Sequence, residues 1–196
     1  MTRFRLIAAL APALLMLSAC GINTIPAAEE EAKAAWANVE NQYQRRADLV
    51  PNLVRTVQGF ATQEREVLTQ VTEARARATQ VTVDPSNPQA MQQFAAAQGE
   101  LGSALSRLLV TVERYPELRS SQLFADLQQQ LEGTENRIAI ARSDYNEAVR
   151  AYNTRIRTFP DMVGARIIYG AEPMVPFEAT TPGAEQAPTV DFGNRP

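Results

Sequence analysis

Histidine is absent from the 196 residues, and Cys20 is the sole thiol. These two facts remove most familiar chemistries. A His-type zinc site, a histidine general base and a Ser-His-Asp triad are excluded. One thiol also cannot form an internal disulfide or a multi-cysteine metal site. Carboxylates remain. Glu132, Glu135 and Asp144 can be paired on paper, but glycoside hydrolysis needs two acids held about 5 to 9.5 Å apart across a cleft. Acids on a solvated helix meet no such demand, and Glu135 with Arg142 suits a surface pairing worth tenths of a kcal/mol. The chain is therefore read as non-enzymatic, with no cofactor and no metal.

Two polar clusters remain as candidate interaction or structural sites. Tyr145 and Asn146 recur seven residues later as Tyr152 and Asn153. Two helical turns separate the pairs, so they share one flank of a helix, along a stripe that continues to Phe159. Buried phenols and amides need partners. The flank carries a polar network that sets core register, or the same groups line a ligand groove. Arg45, Asp48 and Asn52 surround Pro51. That proline frees the carbonyl of Ala47 from its intrahelical bond, and Arg45 or Asn52 is placed to answer it.

Cys20 has a more specific context. Residues 1–19 comprise a basic head with Arg3 and Arg5, an apolar run from Leu6 to Leu17, and a small-residue exit. This is the layout of an export signal. The run is about 12 residues, whereas a bilayer-spanning helix needs about 20. Leu17-Ser18-Ala19-Cys20 resembles the lipobox of bacterial lipoprotein precursors, which implies acylation of Cys20 and cleavage before it. Several acyl chains hold a protein to a membrane where a single chain is marginal. Gly21 stands where an aspartate would signal retention at the inner membrane. By the sorting rules of such lipoproteins, a diderm cell would deliver this one to the periplasmic face of the outer membrane.

Charge and composition narrow the partners. The formal net charge is −3, and removing residues 1–19 takes two arginines and no acid, leaving −5. Nucleic-acid binding, which depends on a basic field, is disfavoured. Aromatics are 7 % of the chain against 45 % apolar residues overall, a mix that suits helices packed on small and branched side chains.

The elements that must position these residues follow from apolar spacing. After a spacer over 20–28, about fifty residues run almost without a breaker to Gln80. Trp36, Val39, Tyr43, Ala47, Val50, Val54, Val57, Ala61, Leu68, Val71 and Ala78 form a stripe that Glu64 interrupts. That spacing predicts one buried helix face. Pro51 either kinks this segment or breaks it into two helices, and the residues leave both open. Val83 to Gln89 is a turn. A second helix follows through Met91, Phe94, Ala97, Leu101, Leu105, Leu108 and Val112. The third, Ser120 to Arg157, carries a near-heptad stripe of Phe124, Leu127, Leu131, Thr134, Ile138, Ala141, Tyr145, Val149, Tyr152 and Ile156. Pro160 stops it. FPDMVGARIIYG, residues 159–170, predicts a short helix or packed arm with Val163, Ile167 and Ile168 available for burial. Residues 171–196 hold five prolines and read as an extended, disordered tail, in which Val175-Pro176-Phe177 could still dock. The whole predicts an all-α, elongated antiparallel bundle over 29–170, of three long segments and possibly four helices.

Residues 34–76, containing QRRADLVPNLV, and residues 114–160, containing the series from Glu135-Asn136-Arg137-Ile138 to Tyr145-Asn146, resemble the two signature regions of the LemA family. The likeness extends over about residues 23 to 178. It implies a membrane-attached, antiparallel helical bundle, described with four helices, and offers no catalytic residues or substrate to carry over. Most members are anchored by an N-terminal hydrophobic helix, and the lipobox departs from that pattern.

Together these readings predict an envelope lipoprotein held by N-terminal acyl chains. Its rod scaffolds or binds an envelope protein, and its domain lies outside the cytoplasm. The alternative is a binder of a small molecule or envelope polymer along the Tyr145/Asn146/Tyr152/Asn153 flank.

Overall fold

The computed structural model describes residues 23–61 and 63–177. Among these residues there are six α-helices, one π-helical turn and no strand. In chain order the helices are α1 (Thr24–Phe60), α2 (Arg65–Gln80), α3 (Pro88–Val112), α4 (Pro116–Arg119), α5 (Gln122–Arg155) and α6 (Asp161–Gly164), followed by the π turn Ala165–Tyr169. Four of these are long enough to build a bundle.

Helices α1 and α5 form the spine. They have 37 and 34 residues, which at 1.5 Å per residue gives roughly 55 and 50 Å. They run antiparallel: Arg46 of α1 meets Glu135, while Thr24 meets Asp161 and Arg155 near the far end of α5. All ten expected positions of the third stripe, from Phe124 to Ile156, are buried.

The expected first segment divides, but not at Pro51. α1 passes through that proline and ends at Phe60, and α2 begins at Arg65. Pro51 is tolerated because Arg75 Nε of α2 donates to the carbonyl of Ala47 at 2.7 Å. The turn is pinned instead at the rod's far end. There Glu64 accepts from the Tyr115 hydroxyl at 2.8 Å and from Arg114 at 3.1 Å, tying the α1–α2 turn to the end of α3.

The bundle also starts earlier than the spacer expectation allowed. Ile25 and Ala28 are buried and continue the stripe of Ala32 and Trp36 back to the first turn of α1. α3 opens on Pro88 after Asn87, whose side chain accepts from the backbone N–H of Gln89 and Ala90. This pairing of a capping side chain with proline at the first helical position fixes a helix start.

α2 has only 16 residues and covers one half of the spine. Accordingly the interior divides into two apolar clusters. One, around Val50, Leu53, Val71, Leu105 and Leu127, is closed by α2. The other, around Ile25, Trp36, Tyr43, Phe94, Ile138 and Tyr145, has no second long helix over it. It is closed by Ala165, Met174 and Phe177 instead.

Two further expectations are corrected here. Phe159, Val163, Ile167 and Ile168 are exposed, and burial in this stretch falls to Ala165. The stripe thus ends at Ile156, because the chain leaves α5 before Phe159. The segment 171–177 is neither helix nor strand, yet it is packed on the bundle, against the expectation of disorder from residue 171; the rest of that expected tail lies outside the described residues. Gly170, at φ 55, takes the left-handed conformation that suits glycine and redirects the chain into this strap.

Candidate functional site

The Tyr/Asn flank of α5 is built to hold the strap. Asn146 donates through Nδ2 to the Phe177 carbonyl at 2.9 Å and accepts from the Phe177 N–H at 2.7 Å. Asn153 does the same for Met174, at 2.8 and 3.0 Å. The hydroxyls of Tyr145 and Tyr152 donate to the carbonyls of Val175 and Glu172. The register has a simple origin. Seven helical residues rise about 10.5 Å, and three residues of extended chain span about 10 Å. Asparagines seven apart therefore meet strap residues three apart, antiparallel to α5. A final bond runs from the Val175 N–H to the Pro85 carbonyl at 2.9 Å, joining the strap to the α2–α3 turn.

Phe177 completes the lock. Its ring lies among Trp36, Tyr43 and Phe94 at centroid distances of 6.2 to 6.4 Å, and the Arg142 guanidinium sits 4.1 Å above it. Arg142 therefore serves the strap, not a surface pairing with Glu135. Burial raises the phenols of Tyr145, Tyr152 and Tyr43 above their ordinary value of 10.0, with Arg142 and Arg46 opposing the rise at Tyr43. All four residues of the expected flank come together, with the chain itself in the place of a ligand.

A second constellation lies at the boundary between the two apolar clusters. Arg46 donates to Glu135 Oε1 at 2.9 Å, and to both the backbone and side-chain oxygens of Gln98 at 2.9 and 2.7 Å. Gln98 in turn donates to the carbonyl of Ala78 at 3.1 Å. One buried guanidinium thus connects α1, α3 and α5 directly, and α2 through Gln98. The sequence reading selected the neighbouring Arg45 and left Glu135 on the surface. Register held the signal, since Arg46 stands three residues after Tyr43 and seven after Val39, inside the stripe.

Arg45, Asp48 and Asn52 do not assemble around the Ala47 carbonyl that Pro51 frees. Asp48 accepts from Gln44 at 2.7 Å and Asn52 from Arg55 at 2.6 Å, each within its own helix. The donor that the Ala47 carbonyl requires comes from Arg75 across the bundle. Arg45 instead edges a groove of about 280 Å³ between α1 and α5, with Leu49, Gln129, Gln130, Gly133, Thr134 and Arg137. Neither Arg45 nor Arg137 has an ion-pair partner among the described residues. No group of three or more potential metal-ligating residues occurs among the described residues, and none of their helices is long and apolar enough to cross a membrane. Cys20 lies outside the described residues.

Comparison with known proteins agrees with this architecture. The chain is 29 % identical over 157 residues to magnetosome protein MamQ 2 of Paramagnetospirillum magneticum, covering 70 % of this chain and 58 % of that one. It is 27 % identical over 150 residues to magnetosome protein MamQ of Magnetospirillum gryphiswaldense, covering 67 % and 55 %. Protein LemA of Metamycoplasma hominis is 22 % identical over 131 residues, covering 67 % and 57 %. The chain thus spans less than two thirds of the length of each of these relatives. The LemA family model matches residues 35–192, taking in α1 from residue 35 onward, α2 to α5, the arginine junction and the asparagine-held strap. The chain belongs to the LemA family.

Proposed function

We propose that this chain is a membrane-tethered, non-enzymatic envelope lipoprotein whose helical rod holds a protein partner. Cys20 is the tether, and Gly21 favours the periplasmic face of the outer membrane in a diderm cell. The observation that carries the reading is the mid-rod groove. Arg46, Arg75, Tyr145, Asn146, Tyr152 and Asn153 are engaged in holding the bundle together, whereas Arg45 and Arg137 are exposed and have no ion-pair partner among the described residues. Two unpaired guanidinium groups beside Gln129 and Gln130 suit a partner surface that presents carboxylates. The alternative, a small molecule or polymer along the Tyr145/Asn146/Tyr152/Asn153 flank, meets the strap already seated there.

A photo-crosslinking residue at Gln129, in intact cells, tests this reading against the same residue at the exposed Val110 of α3. The expected result is a discrete protein adduct from Gln129 that disappears when Arg45 and Arg137 are both replaced by glutamate. Equal labelling from Gln129 and Val110, or an adduct indifferent to the charge reversal, would overturn it.

A further inference from the structure

One end of the rod exposes apolar side chains that the fold does not explain. Phe159 is 81 % exposed, Ile167 79 %, Ile168 57 %, Val163 46 % and Tyr169 40 %. They fall within eleven consecutive residues at the exit of α5, and exposed apolar side chains gathered in this way mark a surface that meets another molecule or a membrane. Three arginines accompany them, Arg155 and Arg157 just before this stretch and Arg166 within it, all exposed and none ion-paired among the described residues.

This end is also where the chain enters the bundle. Thr24 Oγ1 donates to Asp161 Oδ2 at 3.1 Å, Arg155 donates to the Thr24 carbonyl at 3.4 Å, and Ile25 is buried in one cluster with Ile156 and Ala165. Cys20 precedes Thr24 by four residues, a stretch that reaches about 14 Å at most. Whatever holds Cys20 at a bilayer therefore holds Phe159, Ile167 and Tyr169 within reach of the same bilayer.

We infer that this apolar end is a membrane-contact surface, in which Phe159, Val163, Ile167, Ile168 and Tyr169 enter the lipid interface while Arg155, Arg157 and Arg166 meet headgroup phosphates. Chain length and charge both select lipid as the occupant. The anchor leaves no room for a large protein under this end, and arginines ringing aliphatic and aromatic side chains match the layered chemistry of a bilayer surface. The consequence is orientation: the rod stands with α1 leading away from the membrane, and the Arg45/Arg137 groove is presented about three nanometres out, as its twenty-odd helical residues from Thr24 require. The inference rests on the tethered reading above.

The test uses the full acylated protein, purified from membranes and reconstituted into phosphatidylglycerol-containing vesicles made with or without bromine-labelled acyl chains. Ile167→Trp probes the proposed contact, and Leu123→Trp, exposed at the opposite end of the spine, is the control; each is read against the constant background of buried Trp36. Vesicle flotation reports the tether separately. The expected result is co-flotation of both variants, with the added emission of Ile167→Trp cut by about half, as fits burial of a few ångströms below the headgroups, and that of Leu123→Trp unchanged. Co-flotation with equal emission from the two variants, quenched or not, overturns the contact surface while leaving the tether standing. Failure to float overturns the tether, and this inference with it.

Discussion

The Arg46–Glu135 pair is asymmetric, and the asymmetry makes a strong test of how the four long helices are held in register. The Arg46 side chain is 5 % exposed and that of Glu135 48 %. Removing the carboxylate by Glu135→Ala leaves a buried guanidinium with only the neutral oxygens of Gln98. Losing the counter-charge of a buried ion costs about 3–5 kcal/mol, reduced toward the lower figure because the Gln98 bonds persist. Removing the cation by Arg46→Met keeps most of the volume, and the stranded Glu135 turns to water. The main penalty is then the unpaired side-chain oxygen of Gln98, about 1–3 kcal/mol. The carboxylate on the surface should therefore matter more than the arginine in the core. Urea unfolding followed by circular dichroism and Trp36 fluorescence measures both variants at unchanged m-value. A double mutant no less stable than Arg46→Met alone is also expected, because the ion pair of Glu135 among the described residues is with Arg46. If Glu135→Ala is near wild type while Arg46→Met loses several kcal/mol, the junction is held by packing and not by charge compensation.

Three further outcomes follow from the same contacts. Replacing both Asn146 and Asn153 by alanine removes four bonds to the strap, on the order of 2–6 kcal/mol of docking; amide exchange at Met174, Val175 and Phe177 should accelerate by tenfold or more while the α5 interior keeps its protection. Arg75→Ala should cost about 1–3 kcal/mol by orphaning the Ala47 carbonyl, and adding Pro51→Ala should recover that loss by restoring the helical N–H; an additive pair in thermal denaturation would refute the assignment. Burial raises the phenols of Tyr145, Tyr152 and Tyr43 above 10.0, so above that pH the unfolded chain binds fewer protons than the folded one. Stability should be intact below pH 10.0 and fall as pH climbs through the folded values. Urea midpoints across that range should show a shallower decline when Tyr145 and Tyr152 are both phenylalanine.

Much of the fold was legible because helical burial follows spacing. The α5 stripe was readable residue by residue, and the α3 stripe nearly so, with Ala97 giving way to the buried Gln98. What escaped depended on contacts between distant residues. Pro51 signals a break by its own chemistry, and only Arg75, on another helix, explains why α1 continues. The prolines of the strap signal disorder, and only the match between a heptad of asparagines and three strap residues explains its docking. Arg46 carries a charge that hides its place in the stripe, although its spacing from Val39 and Tyr43 puts it inside. Tyr145, Asn146, Tyr152 and Asn153 were readable as one flank of α5, but what lies against them is the strap of residues 171–177.

The central claim is that a lipid-bearing Cys20 holds this rod at a membrane. Intact-mass and N-terminal peptide mass spectrometry of the membrane-extracted protein tests it most directly. The account predicts a chain beginning at Cys20 and carrying acyl mass on that residue, both lost in Cys20→Ser. A chain retaining residues 1–19 with a free Cys20 thiol would contradict it.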